Sequence, residues 1–211
     1  MLKKKTMIAM AKEAILEELH IESFPDLWPG GNYDLLTQHP IPTQQLDVEY
    51  AQEDPGPLLK LVAEYKSTPQ LKLMINRKET TTRWAETLDK LLLVPNFTSY
   101  RFLCNDVLCS VAGILKLVEA WREGQKRIRF LQVFVAGSRE DLFKQLDGMF
   151  PIDVHINGRL HNTKAISDPS GVLLEVVAMD CHSRNAFMLW FHTIIIPKIP
   201  LCYRLDDDIK E

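Results

Sequence analysis

The sequence predicts an α/β mixed (α+β) fold, in which a mainly antiparallel or mixed sheet packs on helices and ends in a long C-terminal hairpin. Strand-like runs occur before, between and after the helical patterns. The run NDVLCSVAGILKLVEAWREG is apolar on nearly all sides, as is typical of a central buried helix. The runs GVLLEVVAMD and AFMLWFHTIII flank a turn at CHSRN and therefore predict the hairpin.

The composition indicates a soluble intracellular protein of the cytoplasm or nucleus. The chain has 211 residues and a net charge of −3. Its pI near 6.1 gives no overall attraction to nucleic acid or anionic lipid. We expect a single domain over residues 1–211, or two parts, 1–95 and 96–211, that share a core. Charged residues interrupt the N-terminal apolar pattern and no apolar run reaches bilayer length, so we expect neither a signal peptide nor a membrane partner.

The cysteines are expected to be reduced and mostly buried, because they form no CxxC pair and the first two lie on a predicted helix. They are Cys104, Cys109, Cys181 and Cys202. A metal site of Cys181, His182 and His192 is conceivable at the C-terminal hairpin, but the ligand spacing is not that of a zinc finger. We therefore expect no structural zinc.

The first half of the chain is predicted to contain a helix and then three strands. Residues Met7 to Leu19 place apolar side chains on one helical face. A proline-rich packed loop follows. The runs QLDVEYA, LLKLVAEYK and LKLMIN then indicate an antiparallel meander, with the turn-rich QEDPGP between the first two.

The second half is predicted to alternate helices and strands. ETTTRWAETLDKLLL and the buried central helix come first, and Gly124 ends the latter. KRIRFLQVFVAG is a strand, and Ser138 with Asp141 forms a capping signature for the helix REDLFKQLDGMF. IDVHINGRL is a strand that Gly158 bends before the chain enters the hairpin.

The candidate for catalysis is the end of the second predicted strand, VAEYK. Residues i and i+2 of a strand point to one face, so Glu64 and Lys66 would project together. Asp47, on the preceding strand, would add a second carboxylate. Two carboxylates can hold a divalent metal ion that activates water against a phosphodiester, and a lysine can position that water.

This arrangement resembles the PD-(D/E)xK nuclease superfamily over residues 7–93. The resemblance implies a nuclease that uses Mg²⁺ or Mn²⁺ and acts on DNA or RNA. It implies Asp47 and Glu64 as metal ligands, Glu17 (or Glu18) on the first helix as a further ligand, and Lys66 as the residue that positions water.

The sequence departs from the pattern of that superfamily in two places. Leu46 stands where the pattern has proline, and a third predicted strand precedes the next helix. An acid-x-lysine triplet is also what a half-exposed amphipathic strand carries when its charges face solvent. We favour this interpretation, in which Glu64 and Lys66 are solvent-facing charges of an amphipathic strand, over a nuclease site.

The C-terminal hairpin predicts an interaction surface. Its second strand is apolar on both faces, and each face must be covered by the chain's own helices or by another molecule. The candidate contact residues are Phe187, Leu189, Trp190, Phe191 and Ile195. The leading hypothesis is therefore a non-catalytic protein-interaction or assembly subunit without a cofactor. Its partner would be another protein subunit or a second copy of the chain.

Other function classes have less support. No GxSxG, GxGxxG or GxxxxGK[ST] motif occurs, which argues against a classical hydrolase elbow, a dinucleotide site and a P-loop. In GQKRIRF, Lys126, Arg127 and Arg129 fit either contact with phosphate or a solubilising entry to a buried strand. A cavity between sheet and helices that binds a small molecule is a third possibility.

Overall fold

The computed structural model describes residues 15–22, 36–51, 53–75, 82–103, 107–156, 159–181 and 185–194. The strands in these residues are β1 Leu16–Glu22, β2 Thr43–Tyr50, β3 Gln70–Ile75, β4 Ser99–Leu103, β5 Phe130–Ala136, β6 Phe150–Ile156, β7 Arg159–Ser167, β8 Leu173–Asp180 and β9 Ala186–Ile194. The helices that connect them are α1 Gly56–Glu64, α2 Thr82–Leu92, α3 Val111–Arg122 and α4 Arg139–Gln145.

The described strands form one mixed sheet with a parallel half and an antiparallel half. Their order is β1-β2-β3-β4-β5-β9-β8-β7-β6. Strands β1 to β5 are parallel neighbours in chain order. Strand β9 pairs antiparallel with β5, and the sheet continues antiparallel through β8, β7 and β6. The predicted fold class, a mixed sheet on helices with a long C-terminal hairpin, is confirmed.

The helices lie on one face of this sheet. Helices α1, α2 and α3 each connect two adjacent parallel strands, and such crossovers are right-handed in nearly all proteins. Because each crossover advances in the same direction across the sheet, all three helices pack on the same side. Their apolar side chains join those of α4 and of the sheet in one core, whose helical members include Leu61, Trp84, Leu88, Leu117, Trp121 and Leu142.

The segment LLKLVAEYK was predicted to be a strand, but most of it lies in helix α1. Leu58, Leu61 and Val62 follow helical spacing and are fully buried. Pro55 at the N-cap and Pro57 in the first turn begin the helix, since proline there lacks only an N–H that would have no helical partner. The predicted antiparallel meander is wrong for the same reason, because α1 is the crossover that makes β2 and β3 parallel.

The C-terminal part of the predicted first helix is a strand, β1. Residues 16–19 lie in β1, and residues 7–14 lie outside the described part of the chain. Leu19 and Ile21 pack toward the core while His20 between them is exposed, which is the alternation of a strand. β1 pairs in parallel with β2 at the edge of the sheet.

Helix α3 begins later than predicted because Ser110 caps it. The Ser110 hydroxyl accepts a hydrogen bond from the Gly113 amide at 2.8 Å. The Asp89 carboxylate of α2 accepts from the Ser110 amide at 3.0 Å and from its hydroxyl at 2.5 Å. Cys109 was predicted to lie on this helix, but its backbone instead pairs with that of Val135 in an isolated parallel β-bridge.

After α3, the predicted strand β5, helix α4 and hairpin β8–β9 are found, but IDVHINGRL, which was predicted as one bent strand, belongs to two strands, β6 and β7. The Ser138 hydroxyl accepts a hydrogen bond from the Asp141 amide at 3.2 Å, which confirms the cap of α4. The run IDVHINGRL contributes to β6 and β7, which pair as a hairpin, and Gly158 lies outside the described residues. Among the described helices, none is long and apolar enough to span a membrane.

Candidate binding surface

The outer face is the face of the sheet opposite helices α1 to α4, and alternating burial defines it. On β3, Leu71, Leu73 and Ile75 are buried in the core, whereas Lys72 and Met74 are partly exposed. Strands β5 and β9 alternate in the same way over most of their length. Parallel strands that are covered on both faces are usually apolar throughout. The alternation is thus the pattern of a sheet covered by helices on one face.

A row of side chains crosses the outer face from β1 to β8. The strand pairing places these residues beside one another in order: His20, Asp47, Lys72, Arg101, Gln132, Trp190 and Val177. The first four are charged or titratable, and the last two are apolar. The outer face therefore has a charged half and an apolar half, which meet at Gln132.

The apolar half carries a cluster that we call the apolar patch, formed by Phe134, Val177, Met179, Met188 and Trp190. Phe134 lies opposite Met188, and Met188 lies opposite Met179 on the next strand. Trp190 lies opposite Val177. Met179 is 57% exposed and the other four are partly exposed. Large aromatic and methionine side chains of this kind are enriched in protein–protein interfaces.

The predicted contact residues of the last strand divide between the two faces. Phe187, Leu189 and Phe191 are fully buried in the core, so they cannot contact a partner while the domain is folded. That part of the prediction is wrong. Trp190 points to the outer face, and Ile195 lies outside the described residues. Side chains along β9 alternate between the two faces of the sheet, and this alternation in the sequence separates the buried residues from Trp190.

Asp47 is the most buried member of the charged half, at 2% exposure. Its Oδ2 accepts a hydrogen bond from Lys72 Nζ and lies 3.4 Å from His20 Nδ1. Its Oδ1 is buried without a hydrogen-bond partner. A buried carboxylate needs a compensating charge, which Lys72 supplies here. A metal ion at this carboxylate would have to compete with that lysine.

The predicted catalytic residues do not share a strand. Glu64 is the last residue of α1 and Lys66 lies in the turn that follows, and both are exposed. Asp47 does lie on β2, but it points to the outer face, away from α1. Glu17 lies on β1 and not on a helix. The described residues contain no group of three or more His, Cys, Asp or Glu placed to hold a metal ion.

Two arginines and a phenylalanine lie where the charged half meets the start of β5. Arg101 on β4 and Arg129 just before β5 are exposed, and Phe130 is partly exposed. The Arg101 guanidinium carbon lies 5.8 Å from the centre of the Phe130 ring. With Gln70 and Ser99, these residues line a depression of about 270 Å³. The sequence indicates Arg129 as a candidate phosphate contact, whereas Arg101 is brought to this place only by the pairing of β4 with β5.

A larger cavity of about 880 Å³ opens at the same end of the sheet. Arg127, Arg129, His192 and Asp168 are among its lining residues. Lys126 also lines it and is only 3% exposed, with Nζ donating to the Val94 carbonyl and to the Tyr100 hydroxyl. Burial lowers the pKa of Lys126 to about 8.

The cysteines and histidines of the described chain do not assemble into a site. Cys109 is buried and Cys181 is partly buried, and both are free thiols. Cys104, Cys202 and His182 lie outside the described residues. His192 is 60% exposed, with Nδ1 4.0 Å from Glu175 Oε2.

Comparison with models of known protein families, with curated protein sequences and with solved structures found no match.

Proposed function

We propose that the protein is a non-catalytic protein-binding subunit that contacts its partner through the outer face of the sheet. The observation that carries this proposal is the position of the apolar patch on the face opposite helices α1 to α4. Trp190, Met188 and Phe134 are residue types that interfaces concentrate at their centres. Arg101 and Arg129 beside them fit the polar rim that surrounds such a centre.

The dimensions of the patch support a partner segment that is a single amphipathic helix. The patch extends over β5, β9 and β8, and two strand spacings cover about 10 Å. A helix with its side chains is about 10 Å wide. Such a helix, laid along the strands with its apolar side down, would cover Trp190 and Met179 together. Helix-in-groove recognition of this kind uses apolar residues at positions i, i+3, i+4 and i+7.

Photo-crosslinking followed by measurement with purified components tests this proposal. A photoreactive amino acid is placed at Met179 in the patch, or at Leu93, which is 37% exposed just after α2 and serves as the matched control. We expect a partner that crosslinks from position 179 and not from position 93. Binding of that purified partner should then be weakened about 100-fold or more by Trp190→Asp, because a charge would replace a central apolar contact.

Folding controls keep this test decisive. Trp190 is only partly exposed, so Trp190→Asp is checked by circular dichroism and thermal unfolding. Met179→Asp changes a more exposed side chain and should weaken binding without loss of the fold, whereas Leu93→Asp should do neither. Equal crosslinking from both positions, or binding that survives both patch substitutions, would contradict the proposal.

A further inference from the structure

Arg101 and Arg129 are held on a rigid part of the sheet, close to the apolar patch. The Arg129 amide donates to the Thr98 carbonyl at 2.7 Å, and the Arg129 carbonyl accepts from the Thr193 amide at 3.3 Å. Arg101 lies in the middle of β4, between the buried residues Tyr100 and Phe102. Both side chains therefore project from backbone that hydrogen bonds fix on either side.

The two guanidinium groups have no acidic partner among the described residues, unlike Lys72, Arg139 and Lys144. Lys72 pairs with Asp47, and Arg139 lies near Glu140 and Asp180. No described carboxylate forms an ion pair with Arg101 or Arg129. Their positive charges are therefore left for a ligand.

The acidic groups on the nearby surface are already engaged. Asp168, which lines the neighbouring cavity, accepts hydrogen bonds from Ser170 and from the Val172 amide. Glu175 is buried beside His192. In the strand pairing, His192 lies between Glu175 and Phe130. Neither carboxylate forms an ion pair with Arg101 or Arg129.

The depression between the arginines suits an anionic group that carries some apolar surface. Arginine presents a planar fork of N–H donors that matches carboxylate and phosphate oxygens. Phe130 forms an apolar wall beside the Arg101 guanidinium, and Gln70 and Ser99 add polar groups to the lining. The volume of about 270 Å³ accommodates one side-chain head group.

We propose that Arg101 and Arg129, with Phe130 beside them, bind one anionic side chain of the protein segment that covers the apolar patch. The anion is the carboxylate of an acidic residue or the phosphate of a phosphorylated one. Arg101 and Trp190 are separated by one strand in the pairing, which corresponds to about 10 Å. Extended chain that continues from the end of the partner helix covers that distance in about three residues. This assignment rests on the proposed function, because it specifies the chemistry of the same partner.

The test is an NMR titration of the full chain with inorganic phosphate and, separately, with acetate. We expect saturable shifts at Arg101, Arg129 and Phe130. The double variant Arg101→Gln/Arg129→Gln should bind phosphate about tenfold more weakly or worse, because two charge-assisted hydrogen bonds are lost. The matched control Lys60→Gln/Lys116→Gln removes two exposed charges from α1 and α3 and should bind as the parent does. If acetate binds about as strongly as phosphate, the anion of the partner is the carboxylate of an acidic residue. If phosphate is strongly preferred, the anion is the phosphate of a phosphorylated residue.

Several outcomes would overturn the proposal. The first is phosphate binding that the double arginine variant leaves intact. The second is a short single-stranded oligonucleotide that binds at these arginines more tightly than phosphate, which would make the ligand a nucleic acid. The third is phosphate binding that strengthens when Asp206, Asp207 and Asp208 are all changed to Asn, which would make the chain's own acidic tail the occupant. The titration contains no partner protein, so its failure is distinct from a failure of the apolar patch to bind one.

Discussion

Gly113, in the first turn of α3, leaves room for the carboxylate of Asp89 on α2. A methyl group at this position would overlap that carboxylate. Asp89 cannot move aside without losing its hydrogen bonds to the Ser110 amide and hydroxyl, which fix the start of α3. The glycine is therefore explained by close approach of a neighbouring helix.

Gly113→Ala should destabilise the protein, although the same change inside a helix ordinarily stabilises it by up to about 1 kcal/mol. We expect the free energy of unfolding to fall by about 1–3 kcal/mol, as for other overpacked sites. Urea unfolding measures the change. In an Asp89→Ala background the added methyl group should cost less, because the overlapping carboxylate is gone. A Gly113→Ala protein more stable than the parent would contradict this account of the helix contact.

Lys126 makes stability depend on pH in the alkaline range. Its pKa is about 8 in the folded chain, below its ordinary value of 10.5. The unfolded chain therefore holds more protons between these values, and stability should rise with pH there, by up to about 1.4 kcal/mol per pH unit. Burial raises the pKa of Tyr100 and of Tyr50, so stability should fall again above about pH 10 as tyrosines of the unfolded chain ionise.

Urea unfolding between about pH 7 and pH 9.5 tests the role of this lysine, because tyrosine ionisation is small in that range. Lys126→Met should flatten the rise of stability with pH. Lys116→Met, at an exposed position of α3, should keep it. A parent protein whose stability is constant over this range would show that Lys126 is not the source of any pH dependence.

Among the elements, α1 shows where the sequence pattern was ambiguous. LLKLVAEYK contains leucines two apart, as a strand does, and also apolar residues at helical spacing up to Tyr65. The two prolines of DPGP are typical of a turn, but proline in the first turn also favours a helix start. For β5 and β9 the apolar runs were long enough to predict each strand from the sequence alone.

The strand pairing and the outer face could not be predicted in the same way. Strand-like runs joined by a turn-rich segment predict an antiparallel meander, and alternation along the strands is usual for antiparallel pairs, since parallel strands are usually covered on both faces. Here α1, α2 and α3 cover only one face, so parallel strands show the alternation of antiparallel ones. Trp190 was identified from its residue type, whereas Arg101 enters the candidate surface only through the pairing of β4 with β5.

The position of α1 also leads to a prediction about metal ions. Glu64 and Lys66 lie at the end of a helix, while Asp47 points to the outer face and pairs with Lys72. We expect Mg²⁺ or Mn²⁺ to leave the melting temperature unchanged, since a ligand raises it only by binding the folded state. Thermal unfolding with and without each ion is the measurement. A rise in melting temperature that Asp47→Ala and Glu64→Ala each remove would instead support the nuclease resemblance.

In the molecule as a whole, β5 and β9 join the parallel and antiparallel halves of the sheet, and one core contains residues from both halves. We expect a single cooperative unfolding transition in urea. Circular dichroism and tryptophan fluorescence should give the same midpoint, because Trp84 and Trp190 report on different halves. Two separate midpoints would indicate that residues 1–95 and 96–211 unfold independently, and they would contradict a shared core.

The place of β9 in the sheet has a consequence for biosynthesis. β9 is the last described strand to leave the ribosome, yet it lies in the interior of the sheet, between β5 and β8. Without β9 the strand order would leave two separate sheets, β1 to β5 and β6 to β8, with β5 and β8 as additional unpaired edges. Exposed edges of this kind invite pairing with other chains. The chain should therefore need its greatest protection from chaperones while β9 is still unpaired.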